Sequence, residues 1–274
     1  MKALRTKLTH LTMLGAALVL LSGVTTAYAA MVDLTTKGSS GTAEGAWFYQ
    51  IDPRPTGTGY IDPFLRLGTG KDNYEQGYNT SVKPFQYDQK DPTGTFGYTR
   101  DLYLSEVPQV DLGGTLYREF LLDINQIKTE DGRMLSLDVL QIYLRDGAFT
   151  AADITGQGNN LVFPSLGTMI WNLDNPGQNI DNYVKMNYSL NTGSGSGDVR
   201  VLIPDALFTL AGVQNPAVYL FSGFGANFGA NDGFEEWWIG KAENQPVPEP
   251  GTMILLGAGF LGLAIYGKRR RNNA

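Results

Sequence analysis

Cysteine is absent from all 274 residues, and the single histidine is His10. Without cysteine the chain forms no disulfide and has no thiol nucleophile. Without a later histidine it lacks the commonest general base and the commonest metal ligand. Ser-His-Asp and Cys-His catalysis and histidine-based zinc sites are thereby excluded. Helical periodicity is nearly missing, and long apolar runs occur only near the two ends. Basic residues are scarce in the middle. Of the 21 Lys and Arg, 3 lie in residues 1–29 and 4 in residues 251–274, with none of the 27 Asp and Glu. That leaves 14 against 27 in residues 30–250, a net charge of −13. Such a surface repels nucleic acid and anionic membranes and favours solubility or divalent cations. Carboxylates, lysines, tyrosines and hard-cation sites are what remain for chemistry.

The ends are built for transit. Lys2, Arg5 and Lys7 precede the apolar stretch Leu11 to Val24, which leads to Ala27 and Ala29. Small residues at −3 and −1 match a signal peptidase site, so residues 1–29 read as a signal peptide and the remainder as exported. At the other end, Met253 to Tyr266 is wholly apolar, glycine or alanine. As a helix (253–266) it rises ~21 Å against a hydrocarbon core of ~30 Å, which is short for permanent anchorage. Lys268, Arg269, Arg270 and Arg271 follow at once and stay on the cytoplasmic side, halting export with the body outside. Ahead of the helix, Val247-Pro248-Glu249-Pro250 brackets a glutamate with prolines. The prolines remove two N–H donors and disfavour helix, so the segment is extended beside the membrane surface.

Those parts, in that order, resemble the PEP-CTERM sorting signal of Gram-negative bacteria, with Pro248, Glu249 and Pro250 as its tripeptide and 246–274 as the whole signal. The resemblance implies processing by exosortase, a membrane-embedded cysteine enzyme. It also implies a transient stay in the inner membrane and a final place at the cell surface or in the extracellular matrix of a polysaccharide-producing cell.

The body, 30–245, reads as one all-β ectodomain, an antiparallel, jelly-roll-like β-sandwich. About eight strands are expected: Trp47–Ile51, Leu116–Asn125, Leu135–Arg145, Met169–Leu173, Tyr183–Leu190, Val199–Ile203, Ala217–Phe224 and Phe234–Gly240. Asp131-Gly132 predicts a hairpin between the second and third of these. Pro204 to Phe208 begins a short helical turn, and residues 52–100 are looser because their prolines demote strands to edges or loops. Glu75 to Asn79, Tyr117 to Asn125 and Gly233 to Trp237 resemble a recurrent, uncharacterised type of PEP-CTERM ectodomain, which implies no activity.

Gly193 to Val201 partly matches a calcium-binding nonapeptide through Gly193 and Asp198, yet nothing repeats, and a flexible loop explains it. No EF-hand loop occurs, so no cofactor is expected, and calcium has no motif behind it; Asn231, Asp232, Asp72 and Asn73 are candidate loop oxygens only. In Phe234-Glu235-Glu236-Trp237-Trp238-Ile239, alternation places Glu235 with Trp237 and Glu236 with Trp238 on opposite faces. The glutamates diverge, and whichever face is buried takes a carboxylate with it. The outer tryptophan of Trp237 and Trp238 is a candidate for stacking on a sugar. Arg118, alone among Leu116, Phe120, Leu122 and Ile124, is expected to pair with Glu236. Three function classes fit: a non-enzymatic surface or matrix protein, a module binding extracellular polysaccharide, and a carboxylate-only glycoside hydrolase. The last needs two carboxyls ~5–10 Å apart in a cleft, and no motif places such a pair. Signal peptidase and the exosortase-type enzyme are the expected partners, and no enzymatic activity is expected of the chain itself.

Overall fold

A computed structural model describes residues 31–51, 63–68, 73–82, 98–153, 166–191 and 197–240. Alternating apolar residues between turn clusters make fourteen strands among them. They are β1 (Met31–Leu34), β2 (Ser40–Ala43), β3 (Ala46–Gln50), β4 (Pro63–Leu67), β5 (Glu75–Tyr78), β6 (Leu102–Tyr103) and β7 (Gln109–Leu112). The chain continues through β8 (Thr115–Asp123), β9 (Met134–Arg145), β10 (Thr168–Asn172), β11 (Tyr183–Asn187), β12 (Val199–Pro204), β13 (Ala217–Phe224) and β14 (Glu235–Trp238). All eight expected strands form, but the one expected over Tyr183–Leu190 ends at Asn187 and Tyr188–Leu190 is a 3-10 turn; short edge strands without clear alternation, such as β2 and β7, make up most of the others.

The strands divide into two seven-stranded sheets. The first runs β1-β11-β9-β13-β5, with β10 also on β9 and β6 on β13; the second runs β2-β3-β12-β8-β14-β4, with β7 on β8. Their inner faces share one core, in which Phe48, Phe64, Phe120, Leu122 and Trp237 of the second sheet meet Leu34, Leu137, Leu220 and Phe224 of the first. Strand alternation drives this packing: Val184 and Met186 are buried while Tyr183, Lys185 and Asn187 between them are only half-buried. Tyr78, Phe149 and Tyr219 form a smaller cluster with Leu166 and Ala217.

Two expectations need correction. The sheets are not purely antiparallel, because β1 lies parallel to β11, with Val32 opposite Val184. And β8 and β9 do not form a hairpin. The turn itself exists, with the amides of Gly132 and Arg133 donating to the Thr129 carbonyl. However, β8 gives its edges to β12 on one side and to β7 and β14 on the other, while β9 is taken by β11, β10 and β13. The connection therefore crosses between sheets. Side-chain anchors hold it: Asn231 Oδ1 accepts from the Ile127 amide, and the Asn231 amide donates to Gln126. The short helical turn appears as a 3-10 turn at Asp205–Leu207.

Candidate functional site

Strand β14 decides how the tryptophans and glutamates are spent. It lies between β8 and β4, and its odd positions face the core: Trp237 pairs with Leu122 and Leu65, and Glu235 with Leu67. Trp237 is wholly buried, and its indole N–H donates to Ser222 Oγ at 3.1 Å. It presents no face to a ligand, so the sugar-stacking role considered for it is ruled out by burial; only Trp238 stays on the outer side, half-buried. Glu235 and Glu236 diverge as the alternation requires.

Glu235 meets Glu75 of β5 between the sheets. The two carboxyls are hydrogen-bonded, and Gln126 Nε2 donates to Glu235 at 2.6 Å. Burial first, then the neighbouring Glu75 carboxyl, push Glu235 well above the usual carboxylate range; Gln126 and the Asn125 amide oppose this only in part. Direct hydrogen bonding sets the pair closer than the ~5–10 Å that glycoside hydrolysis uses, and both residues are nearly inaccessible. What the pair can do is share a proton.

The outer face of the second sheet gathers aromatic and charged groups from distant segments. Register aligns Tyr49, Arg200, Leu121 and Trp238 in one row across β3, β12, β8 and β14. The next row holds Trp47, Leu202 and Glu119. Trp47 is 36% exposed and stacks on Tyr49, ring centroids 5.9 Å apart. Arg200 Nε donates to Glu119 at 2.6 Å between the rows. At the far edge, Arg66 lies 3.8 Å from Glu236 and is held between the rings of Tyr98 and Phe234, 3.7 and 4.4 Å from their centroids. Each of these strands contributes an aromatic or a charge that alternation alone sends outward.

The expected Arg118–Glu236 pair does not form. Arg118 Nε donates to Asp205 Oδ1 at 2.6 Å, and its Nη1 donates to the carbonyls of Leu104 and Val107. Asp205 follows β12 directly, within reach of Arg118 opposite Ile203, whereas Glu236 is opposite Asp123 at the other end of β8. Burial raises Asp205, but the hydrogen bonds from Gln109 and Arg118 prevail and hold it below the usual carboxylate range.

Of the candidate calcium oxygens, Asn231 is used structurally, its Nδ2 donating to the Gly132 carbonyl at 2.7 Å. Asp232 Oδ1 accepts from the Gly233 amide, and the Asn73 carbonyl accepts from the Ala230 amide at 2.9 Å. Asp72 lies outside the described residues. Among those residues, no group of three or more acidic or histidine side chains converges as a metal site. The sequence reading missed Trp47, Tyr49, Glu75 and Arg66. Trp47 and Tyr49 were legible as an i, i+2 pair; the others gain meaning only through strand register.

Ala27, Ala29, Val247, Pro248, Glu249, Pro250 and Lys268 to Arg271 lie outside the described residues, as does the helix at 253–266. No helix among the described residues is long and apolar enough to cross a membrane. Comparison with protein families matches residues 246–271 to the PEP-CTERM protein-sorting motif. No curated protein and no solved structure matches the chain.

Proposed function

From a chain that carries a PEP-CTERM sorting motif at residues 246–271, we infer a non-enzymatic exported protein with a structural or binding role at the cell surface or in the extracellular matrix. The motif supports export towards the envelope and sorting through the C-terminus, and it implies an exosortase-type processing enzyme. On this reading signal peptidase removes residues 1–29, a jelly-roll-like β-sandwich of 30–245 forms outside, and the short helix holds the chain in the inner membrane only until it is processed. The carrying observation is the motif: nothing in plain anchorage requires a proline-bracketed Glu249. Intact-mass measurement of surface-extracted protein tests it. The expected mass lacks Met253 to Ala274, and Glu249→Ala strands a longer, membrane-bound form. A wild-type mass that still includes those residues makes the segment an ordinary anchor and overturns the reading.

A second reading, binding of extracellular polysaccharide, is favoured by the exposed Trp47–Tyr49 stack on the same sheet face as Trp238. Aromatic faces complement the C–H faces of sugars. A glycan array with the surface-extracted protein, wild type against Trp47→Ala, decides it: no signal in the wild type removes the reading.

A further inference from the structure

Alternation also sends aromatic residues to the outer face of the first sheet. In β13, Val218, Leu220 and Phe224 enter the core, so Tyr219, Phe221 and Gly223 face outward. Register extends that face sideways: Gln76 and Val139 flank Gly223, Tyr78 and Gln141 flank Phe221, and Tyr143 lies beside Tyr219. Phe149 closes over Tyr78 and Tyr219, its ring centroid 6.0 and 4.3 Å from theirs. Tyr74 and Gln76 stay exposed, and Phe221, Gln141 and Tyr143 are half-buried. The uncovered part is a shelf beside the Phe149 cluster.

Two tyrosine–glutamine pairs shape the shelf. Tyr74 Oη donates to Gln76 Oε1 at 3.2 Å, and Tyr143 Oη donates to Gln141 Oε1 at 2.6 Å. Each bond engages the amide oxygen and turns the two N–H groups of Nε2 away; among the described residues neither Nε2 has a partner. Burial raises Tyr143, and burial with the Asp138 charge raises Tyr74, above the usual phenol value of 10.0, so both hydroxyls keep their protons. Gly223 admits the first pair: with no Cβ there, the Tyr74 hydroxyl comes in over β13, where a Cβ would stand 2.6 Å from it.

Charge is kept to the two ends of the shelf and is engaged there. Arg145 pairs with Asp153 and lies over Phe149, and Asp138 accepts from Ser136, Ala226 and Asn227. Gln76, Phe221, Gln141 and Tyr143 between them carry no formal charge, in a body whose net charge over residues 30–250 is −13.

We propose that this shelf binds a neutral polysaccharide. Gln76 and Gln141 donate to sugar oxygens, the two tyrosine oxygens accept from sugar hydroxyls, and the rings of Tyr143 and Phe221 meet the C–H faces. A tyrosine hydroxyl that donates to its glutamine is polarised into a better acceptor for the sugar. Uncharged amides and phenols complement uncharged alcohols, while the negative body repels acidic chains. The glutamines stand two strand spacings and two residues apart, about 12 Å between Cα atoms, which suits two or more linked sugars. The site is separate from the Trp47 stack on the other sheet, and it rests on the export reading, which puts this face outside the cell.

Affinity electrophoresis of the surface-extracted protein, in gels holding a neutral glucan, mannan or galactan and in one holding a polyuronate, tests the site. At least one neutral polymer should retard the wild type, and more strongly than the polyuronate does. Gln76→Ala combined with Gln141→Ala removes two donors at a solvent-facing position and should weaken that binding roughly 10-fold. Tyr143→Phe keeps the ring and releases the Gln141 amide, for a loss of about 2–5-fold. Trp47→Ala should leave the retardation unchanged, which keeps this result apart from that of the polysaccharide reading above; intact mass reports separately on export. The proposal is overturned if no neutral polymer retards the wild type, or if the polyuronate is bound best. It is equally overturned if the double variant and Tyr143→Phe both bind like the wild type, or if Trp47→Ala alone abolishes binding.

Discussion

Glu235 gives up its hydration on folding and meets a second carboxyl, Glu75, and these outweigh the hydrogen bonds from Gln126 and the Asn125 amide, so its proton is held more tightly in the native state than in the unfolded chain. For an acid whose folded value is raised, the stabilisation is complete below the unfolded value near 4.5 and is lost as pH climbs through the folded one. Urea midpoints measured between about pH 4 and pH 9 should therefore fall with pH more steeply in the wild type than in Glu235→Gln; equal slopes would show that Glu235 is not held protonated by burial. Arg118 offers a second residue-scale test. Its side chain is 14% exposed and serves Asp205 and two carbonyls, so Arg118→Ala is expected to cost about 2–4 kcal/mol. A double-mutant cycle should give a coupling of roughly 1–3 kcal/mol with Asp205 and close to zero with Glu236. Coupling to Glu236 as large as that to Asp205 would contradict the pairing.

Tight turns, rather than long apolar strands, set the outline of the second sheet. Two-residue loops join β2 to β3 at Glu44-Gly45 and β7 to β8 at Gly113-Gly114, and all four residues have positive φ. That backbone twist suits right-handed strands and explains why register there does not slip. Gly114 has φ +92 and open space where a Cβ would go, so Gly114→Ala isolates backbone strain, about 1–2 kcal/mol in urea unfolding. Gly225 combines φ +96 with an added Cβ 2.1 Å from the Asn73 carbonyl oxygen. Gly225→Ala should cost distinctly more, because the loop that Asp138 fastens through the amides of Ala226 and Asn227 must also move. If the two substitutions have equal effects, that close approach does not matter. Strands β8 and β9 show the limit of local signals. Asp131-Gly132 supports a turn, yet whether a turn closes a hairpin depends on whether the strand edges are free, and here they are not.

At the scale of the whole molecule, the export proposal makes a prediction about the start of the mature chain. Strand β1 begins at Met31, one residue after Ala30, and its pairing with β11 places this first segment at the edge of a sheet. On the proposed reading, cleavage after Ala29 leaves all of β1 in the mature chain. N-terminal sequencing of the mature protein should begin at Ala30, and a retained Met1 would contradict this. The charge is distributed unevenly: residues 30–250 carry a net −13, while residues 1–29 and 251–274 hold basic side chains and no acidic ones.

The sequence by itself determined what acts locally. Proline-bracketed Glu249, the short apolar run and the arginine cluster form a linear signal that needs no fold to be read, and the family comparison finds it at 246–271. Period-two alternation likewise marked the longer strands and the divergence of Glu235 from Glu236, because neighbouring side chains on a strand must point apart. Tertiary structure alone decided which face of β14 is buried, which partner Arg118 takes, and that Glu75 meets Glu235. Each of these joins residues far apart in the chain through strand order and register, and a shift of one residue would send every side chain concerned to the opposite face.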